Sequence, residues 1–124
     1  MILSHWHDDS VTENSASMVV YLSGSKRSFL FTGDLGSKHE TALLSLEPNL
    51  KVYALQVGHH GSRYSSSAKF LAQLKPQKAY ISAGKSNKYK HPHKEAIERL
   101  NAIMPDSNIF RTDVLGSVKL EMEF

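Results

Sequence analysis

The residues of this chain that could do chemistry are concentrated in a few short histidine and aspartate segments. The first is His5-Trp6-His7-Asp8-Asp9, where two imidazoles stand two positions apart and a carboxylate follows two positions later. If this segment turns out of a strand, both ring nitrogens can converge on one divalent ion. Asp9 would then lie beside them, able to bind a second ion or hold a water molecule. The alternative is a disordered polar segment without a ligand.

Two more segments of the same kind lie downstream in glycine-containing turns. Asp34 ends Thr32-Gly33-Asp34, and His59-His60 precedes Gly61-Ser62. Imidazole and carboxylate together form the donor set of hydrolytic metal sites. Asp34 has an alternative interpretation as a cap of a helix that starts near Ser37, because aspartate favours helix N-termini.

Composition limits the remaining possibilities. A chain of 124 residues with 40% hydrophobic content is expected to form a single domain over residues 1–124. It has no cysteine, so any metal must be bound by histidine and carboxylate. No run of about 18 apolar residues occurs, so no membrane segment is expected, and the cytoplasm is the default location.

Positive charge is concentrated in one part of the chain. No acidic residue occurs between Pro48 and Lys94, while the stretch from Lys51 to Lys94 holds nine lysines and arginines. Such a block favours a phosphate-bearing partner, and the alternative is a solvated lysine face. The block brackets both His59-His60 and His91-Pro92-His93, which supports the functional interpretation.

Apolar runs and turn residues predict alternating strands and helices. Strands are expected at 18–22 and 28–32, joined by the hairpin turn Gly24-Ser25-Lys26, and at 52–57 and 79–82. A short helix is expected from Lys38 to Leu46, with apolar residues at Ala42, Leu43 and Leu46. Ser65-Ser66-Ser67 offers N-caps for a helix that carries Phe70, Leu71 and Leu74.

The last third of the chain predicts a third helix and a closing hairpin. Pro92 suits the first turn of a helix that carries Ala96, Ile97, Leu100, Ile103 and Met104. Residues 108–111 and 118–122 alternate like a hairpin about Leu115-Gly116. The class is α/β or α+β with a mixed sheet. The candidate site residues follow strands, so they can converge on one edge of that sheet.

Taken in order, these motifs resemble the metallo-β-lactamase superfamily. They are most similar to the C-terminal metallo-β-lactamase-like domain of ComEC-type DNA-internalisation proteins. The resemblance covers residues 14–120 almost continuously. Its motifs are His5-x-His7-x-Asp9, Asn14-x-x-Ser17, Phe31-Thr32-Gly33-Asp34, Gln56-Val57-Gly58-His59-His60-Gly61-Ser62, Ser82-Ala83-Gly84-x-x-Asn87-x-Tyr89-x-His91-Pro92 and Arg111-Thr112-Asp113-x-x-Gly116.

The resemblance implies a hydrolase with two zinc ions. His5 and His7 would bind one ion, Asp9 the other, and Asp34 would bridge them. His59 or His60 would complete the set, with His60 favoured, and Asp9 and Asp34 would be the catalytic carboxylates. The ions would activate water for attack on a phosphodiester. The implied partner is nucleic acid in DNA uptake, and the implied location extracytoplasmic if the chain belongs to a membrane DNA-uptake protein. Substrate contacts are expected from His91, Asn87, Ser62 and Lys88, and His91 is also a candidate ligand.

Two departures from the superfamily pattern leave a second hypothesis open. Ser10 stands where the motif has a further histidine of the second metal, and only residues 10–13 separate the motif from Asn14. The chain is therefore expected to be a truncated domain, part of an αββα sandwich with three helices. An incomplete sheet would expose apolar faces and favour self-association. The competing function is a catalytically incomplete module that binds DNA or a protein partner.

Overall fold

The fold is built on one mixed sheet of six strands. The computed structural model describes the backbone of residues 2–4 and all of residues 17–121. The strands follow chain order across the sheet: β1 (Ile2–Ser4), β2 (Val19–Ser23), β3 (Ser28–Phe31), β4 (Ala54–Gln56), β5 (Lys78–Ile81) and β6 (Ile109–Arg111). The first three strands pair antiparallel, and β3, β4, β5 and β6 pair parallel.

Each parallel connection runs through a helix, as parallel neighbours require. The helices are α1 (Ser37–Leu46), α2 (Ala68–Leu74) and α3 (Lys94–Asn101), and a four-residue helix α4 (Thr112–Leu115) follows β6. Because α1 packs against α2 and α2 against α3, these three helices form a row along the sheet. The core lies between this row and the sheet, where Leu30, Leu55 and Ile81 meet Leu43, Phe70 and Leu100.

Aromatic side chains alternate with these core residues along the strands. The rings of Phe29 and Phe31 stack at 4.2 Å, and the rings of Tyr80 and Phe110 stack at 5.0 Å. Together with Val118 and Leu120 they line a groove of about 1110 Å³. Phe31 is 38% exposed in it. This aromatic face is the kind of surface on which the expected self-association would depend, and that expectation stays a prediction.

The predicted order of elements is confirmed from Val19 to Asn101. The strands, the hairpin about Gly24 and the helices α1 and α2 lie where the sequence places them, and α3 follows in the predicted order with different ends. The capping prediction for α2 is also confirmed: Ser67 is the N-cap, and its hydroxyl accepts a hydrogen bond from the Phe70 N–H at 3.2 Å. A mixed α/β sheet is therefore the observed fold class.

The predicted end of the chain is wrong in two respects. Residues 109–111 form no hairpin with a later strand, since β6 pairs parallel with β5 and residues 117–121 form no strand. The turn expected about Leu115-Gly116 is the end of α4, a fourth helix beyond the three expected. Apolar and polar residues alternate at 118–120 because Val118 and Leu120 line the aromatic groove. Their backbone does not form a strand.

The start of α3 also differs from the prediction. Its N-cap is His93, so Pro92 precedes the helix, and the His91-Pro92 peptide bond is cis. The helix ends at Asn101, before Ile103 and Met104. Met104 is nevertheless buried, whereas Ile103 is 40% exposed.

The buried face of α1 contains a carboxylate. Its buried residues are Glu40, Leu43 and Leu44, while the apolar Leu46 at the end of the helix is 60% exposed. Spacings of three and four residues define this face, and Glu40 occupies a position that apolar periodicity assigns to a hydrophobic residue.

The buried Glu40 carboxylate holds the segment before α2 through backbone hydrogen bonds. Its oxygens accept from the N–H groups of Ser66 and Ser67, the latter at 3.0 Å. From the other side, Arg99 of α3 donates to the carbonyl oxygens of Arg63, Ser65 and Ser66 at 2.9–3.0 Å. Burial raises the pKa of Glu40, and the N–H donors and Arg99 oppose that rise.

Within residues 2–4 and 17–121, no helix has the length and apolar character needed to cross a membrane.

We predict that Glu40→Ala lowers the free energy of unfolding by about 2–4 kcal/mol, because it leaves two buried N–H groups without an acceptor. The measurement is chemical denaturation at neutral pH. Glu98→Ala is the matched control, since Glu98 is exposed in a pair with Lys94 and its loss should cost less than about 1 kcal/mol. Equal losses of stability in the two variants would contradict a stabilising role of the Glu40 hydrogen bonds.

A second prediction concerns Arg111 and Asp113, which join β6 to α4. Two hydrogen bonds of 3.1 and 2.7 Å connect their side chains, and the guanidinium lowers the pKa of Asp113. A lowered pKa in the folded state adds stability above the ordinary pKa, and this is lost as pH falls through the lowered value. Asp113→Asn should therefore destabilise the protein at pH 7, and the difference from the native protein should shrink as pH falls from the ordinary pKa of aspartate through the lowered value. A gap of constant size from pH 7 to pH 3 would contradict this linkage.

Candidate metal centre

The candidate site lies at the carboxyl ends of β3, β4 and β5. Each strand ends in a turn that carries one predicted site segment: Gly33-Asp34 after β3, Gly58–Gly61 after β4, and residues 82–93 after β5. Parallel strands bring their carboxyl ends to one edge of a sheet, which is where open α/β folds place their sites. The predicted convergence of Asp34, His60 and His91 is observed.

Gln56 fixes the backbone of the Asp34 turn. Its side-chain oxygen accepts hydrogen bonds from the N–H groups of Thr32 and Gly33, each at 3.0 Å. In return, the Thr32 hydroxyl donates to the Gln56 carbonyl oxygen at 3.0 Å. The N–H of Asp34 donates to the Ser17 hydroxyl at 3.0 Å, so the carboxylate extends from a turn that is held on both sides.

The histidine pair lies in a turn with an uncommon backbone. His59 and His60 have φ values of +49° and +56°, and Gly61 follows at +81°. Two successive non-glycine residues in the left-handed region cost about 1–2 kcal/mol each. The surrounding contacts must therefore hold this turn, and one of them is a hydrogen bond from the His59 N–H to the Gly33 carbonyl at 2.9 Å.

Further contacts hold the two ends of the histidine turn. At its start, the Gly58 N–H donates to the Ser66 hydroxyl at 3.1 Å. Ser66 belongs to the segment whose backbone N–H groups donate to Glu40. At its end, the Gly61 carbonyl accepts from the His93 N–H at 2.9 Å. A Cβ atom at Gly61 would lie 2.5 Å from Pro92 Cβ, so only glycine fits there.

His60 is oriented toward Asp34 by a backbone carbonyl. Its Nδ1 lies 2.7 Å from the Ser82 carbonyl oxygen, which can only accept, so Nδ1 carries a proton. The other ring nitrogen, Nε2, lies 3.8 Å from Oδ1 of Asp34. In the neutral ring, Nε2 therefore presents a lone pair to the carboxylate. Two electron-rich atoms at this distance attract a cation between them, either a proton or a metal ion.

His59 and His91 complete a group of imidazoles around this pair. The ring centroid of His91 lies 5.5 Å from that of His59 and 6.1 Å from that of His60. Partial burial lowers the pKa of His91, with further lowering from His93, His59 and His60, while Asp34 opposes the change. A lowered pKa favours the neutral imidazole, which is the form that binds metals or accepts protons.

The loop that carries His91 is closed by Asn87. The Asn87 amide donates to the carbonyls of Gly84 and His91 at 2.9 and 2.6 Å, and its oxygen accepts from the His91 N–H at 2.9 Å. Lys88 is exposed and lies 4.9 Å from the Tyr89 ring centroid. Ser62 is buried, and its hydroxyl accepts a hydrogen bond from the Tyr64 N–H at 3.2 Å. Substrate contact by these residues stays a prediction.

The structure assigns positions to residues for which the sequence suggested no role. Nδ1 of His93 accepts from the Arg63 N–H at 2.9 Å, and Nε2 lies 3.1 Å from the Tyr89 carbonyl, so this ring is neutral and joins two loops. The Thr112 hydroxyl accepts a hydrogen bond from the Ala83 N–H and lies at donating distance from the Ala83 carbonyl oxygen, each at 2.9 Å. Ser17 and Gln56 belong to motifs of the family resemblance, so their roles could have been anticipated. Glu40 and Arg99 belong to none of these motifs.

The remaining predicted ligands lie outside the described residues. These are His5, His7 and Asp9, and the same stretch contains Ser10, which stands in place of a ligand. Among residues 2–4 and 17–121, no three His, Asp or Glu side chains are placed to hold a metal ion together. The alternative role of Asp34 as a helix cap is wrong, because the N-cap of α1 is Gly36 and no side chain caps that helix.

The mixed sheet thus carries an aspartate turn after β3 and a histidine turn after β4, both at the carboxyl ends of parallel strands. A family model described as the metallo-beta-lactamase superfamily matches residues 9–85, and the chain belongs to this superfamily.

Its relatives narrow the context further. The chain is 36% identical to ComE operon protein 3 of Bacillus subtilis (strain 168) over 118 residues, or 95% of this chain. It is 38% identical to Recombination protein 2 of Haemophilus influenzae over 119 residues, and 35% identical to Competence protein ComA of Neisseria gonorrhoeae over 111 residues. The chain spans 15–16% of the length of these relatives.

We predict that Gly61→Ala destabilises the protein by about 2–5 kcal/mol, from left-handed strain of 1–2 kcal/mol plus overpacking against Pro92 of 1–3 kcal/mol. Gly36→Ala is the control, because Gly36 has a φ of −88° and the nearest atom to an added Cβ is 3.9 Å away, so neither strain nor overpacking arises there. The denaturation midpoint should therefore fall further for Gly61→Ala than for the control variant. If both variants lose the same stability, the contact with Pro92 contributes nothing.

Proposed function

We propose that the protein is a metal-dependent hydrolase that cleaves phosphodiester bonds of nucleic acid in DNA uptake. Membership of the metallo-β-lactamase superfamily supports the reaction class. The context is supported by relatives that are named as a competence protein and a product of the ComE operon.

One observation carries the metal part of the proposal. Nδ1 of His60 is committed to the Ser82 carbonyl, and Nε2 faces the Asp34 carboxylate at 3.8 Å. Histidines that bind metals characteristically donate their other ring N–H to a carbonyl or carboxylate. This donor set fits zinc, for which imidazole and carboxylate are ordinary ligands.

The geometry also separates the two adjacent histidines. His60 has the carbonyl partner and the carboxylate neighbour, so we assign the ligand role to His60. His59 contributes its N–H to the Gly33 carbonyl and its ring to the group around His91. Asp34 and His60 would hold the metal together with the N-terminal candidates His5, His7 and Asp9, and bound metal would supply Lewis acidity toward the scissile phosphate and water.

The surroundings of the site suit a polyanion. Lys85, Lys88 and Lys90 are exposed on the loop that also carries His91. Lysines neutralise backbone phosphates without reading base sequence, so the expected substrate preference is for nucleic acid of any sequence.

The first test is zinc binding by titration calorimetry and metal analysis. The native protein should bind zinc, and Asp34→Asn and His60→Ala should each weaken binding by about 100-fold, equivalent to about 2.7 kcal/mol. His59→Ala should weaken it less than His60→Ala. Asp106→Asn is the control, because Asp106 is exposed beside β6 at the opposite edge of the sheet.

The second test is degradation of single-stranded DNA with zinc present. Loss of degradation in Asp34→Asn and His60→Ala, with Asp106→Asn unaffected, is the expected result. Zinc stoichiometry below one per molecule, unchanged by either substitution, would overturn the hydrolase proposal.

A second candidate function is a DNA-binding module without catalysis. It is favoured by Ser10, which stands where the superfamily motif has a further histidine. Retained DNA binding, with neither zinc binding nor degradation, would identify this alternative.

A further inference from the structure

We propose that the edge of the sheet opposite the candidate metal centre is a second binding surface, a groove that takes the phosphate backbone of nucleic acid. This inference rests on the proposed function only in its choice of nucleic acid as partner. The surface requires no metal, and none of the candidate ligands or catalytic residues contributes to it.

The groove lies where the parallel strands begin. Residues 23–28 of the β2–β3 hairpin form one side, and residues 51–53 before β4 and 75–77 before β5 form the other. Asp34, His60 and His91 follow the carboxyl ends of these same strands, so the groove and the candidate metal centre are at opposite edges of one sheet.

Basic side chains from separate segments meet in this groove. Its lining includes Lys26, Arg27, Lys51 and Lys75, together with the hydroxyl-bearing residues Ser23, Ser25 and Ser28. The basic block of the sequence is thus divided by the fold. Lys51 and Lys75 join the hairpin cations at this edge, while Lys85, Lys88 and Lys90 lie at the other.

Local contacts orient two of these cations. The Arg27 guanidinium carbon lies 4.8 Å from the centroid of the Tyr53 ring, which also lines the groove. The Lys51 ammonium donates to the Gln73 carbonyl oxygen. Cation–π contact and a backbone acceptor hold these side chains without neutralising their charge.

Carboxylates do not compensate this charge. No Asp or Glu lines the groove. Across the described ranges, the ion pairs within 4.0 Å use none of Lys26, Arg27, Lys51 or Lys75. A concentration of unpaired positive charge attracts anions and raises their local concentration.

The shape of the groove favours a chain over a small anion. It is an open surface depression of about 530 Å³ that crosses three segments of backbone. Lysines spread along an open groove, with serine hydroxyls between them, suit successive phosphates of a nucleic acid strand.

The same lining disfavours a membrane surface. The large apolar side chains that are strongly exposed, such as Met18, Leu46 and Val114, all lie outside the groove. Interfacial membrane binding depends on such apolar groups as well as on charge. Nucleic acid is therefore the partner that this groove fits.

The test is binding of a fluorescent single-stranded oligonucleotide, followed by anisotropy in EDTA over a range of salt concentrations. The groove variant carries Lys26→Gln, Lys51→Gln and Lys75→Gln. The control variant carries Lys69→Gln, Lys94→Gln and Lys119→Gln, which removes the same net charge from exposed positions elsewhere. Thermal melts verify that both variants fold.

We expect the groove variant to lose at least about tenfold in affinity for every sequence tested. Its slope of log K against log salt should fall by about 2, since each phosphate contact on a single strand contributes about 0.7. The control variant should change by less than about threefold. In the native protein, amide resonances of Ser25 and Lys26 should shift on addition of the oligonucleotide.

Equal losses in the two variants would overturn the proposal, since net charge alone would then explain binding. It would also be overturned if the groove variant lost binding to vesicles of anionic lipid while it kept the oligonucleotide. Because EDTA excludes metal from the assay, failure of hydrolysis at Asp34 and His60 leaves this result unaffected.

Discussion

The buried carboxylate of Glu40, together with Arg99, connects three helices of the fold to the segment before α2. From α1 it accepts the N–H groups of Ser66 and Ser67, and Ser67 in turn caps α2. Arg99 of α3 bonds the carbonyls of the same segment, so three helices are tied to one stretch of irregular backbone. Because a buried charge is costly unless its hydrogen-bonding capacity is used, this arrangement specifies a single conformation for that stretch.

That conformation supports the strained histidine turn. The Ser66 hydroxyl accepts from Gly58, where the turn begins, and Pro92 packs against Gly61, where it ends. Left-handed backbone at His59 and His60 persists because its surroundings determine it from both ends. The result is an imidazole that presents Nε2 to Asp34, an orientation that an unsupported loop would not maintain.

The two ends of the parallel strands carry different functional groups. At their carboxyl ends, tight turns bring imidazole and carboxylate groups together, as in other α/β folds. At their amino ends, lysines and serines surround an open groove without carboxylates. The first arrangement depends on distances of a few ångströms between particular atoms. The second depends on summed charge, which acts over about 10 Å and is screened by salt.

Local periodicity and motif order in the sequence predicted the strands β2 to β6, the order of the three main helices and a serine cap for α2, and they indicated the superfamily. The sequence also predicted that the candidate site residues converge on one edge of the sheet, since Asp34 and His59-His60 follow strands directly and His91 lies in the loop after a third. The carbonyl partner of His60 Nδ1 depends on the tertiary structure, because that partner is Ser82, 22 residues away. Glu40 was missed since a buried carboxylate breaks the apolar pattern, and its partners are 26 and 27 residues distant. The closing hairpin was wrong because alternation records which side chains are buried, while strand pairing depends on contacts between distant backbone segments.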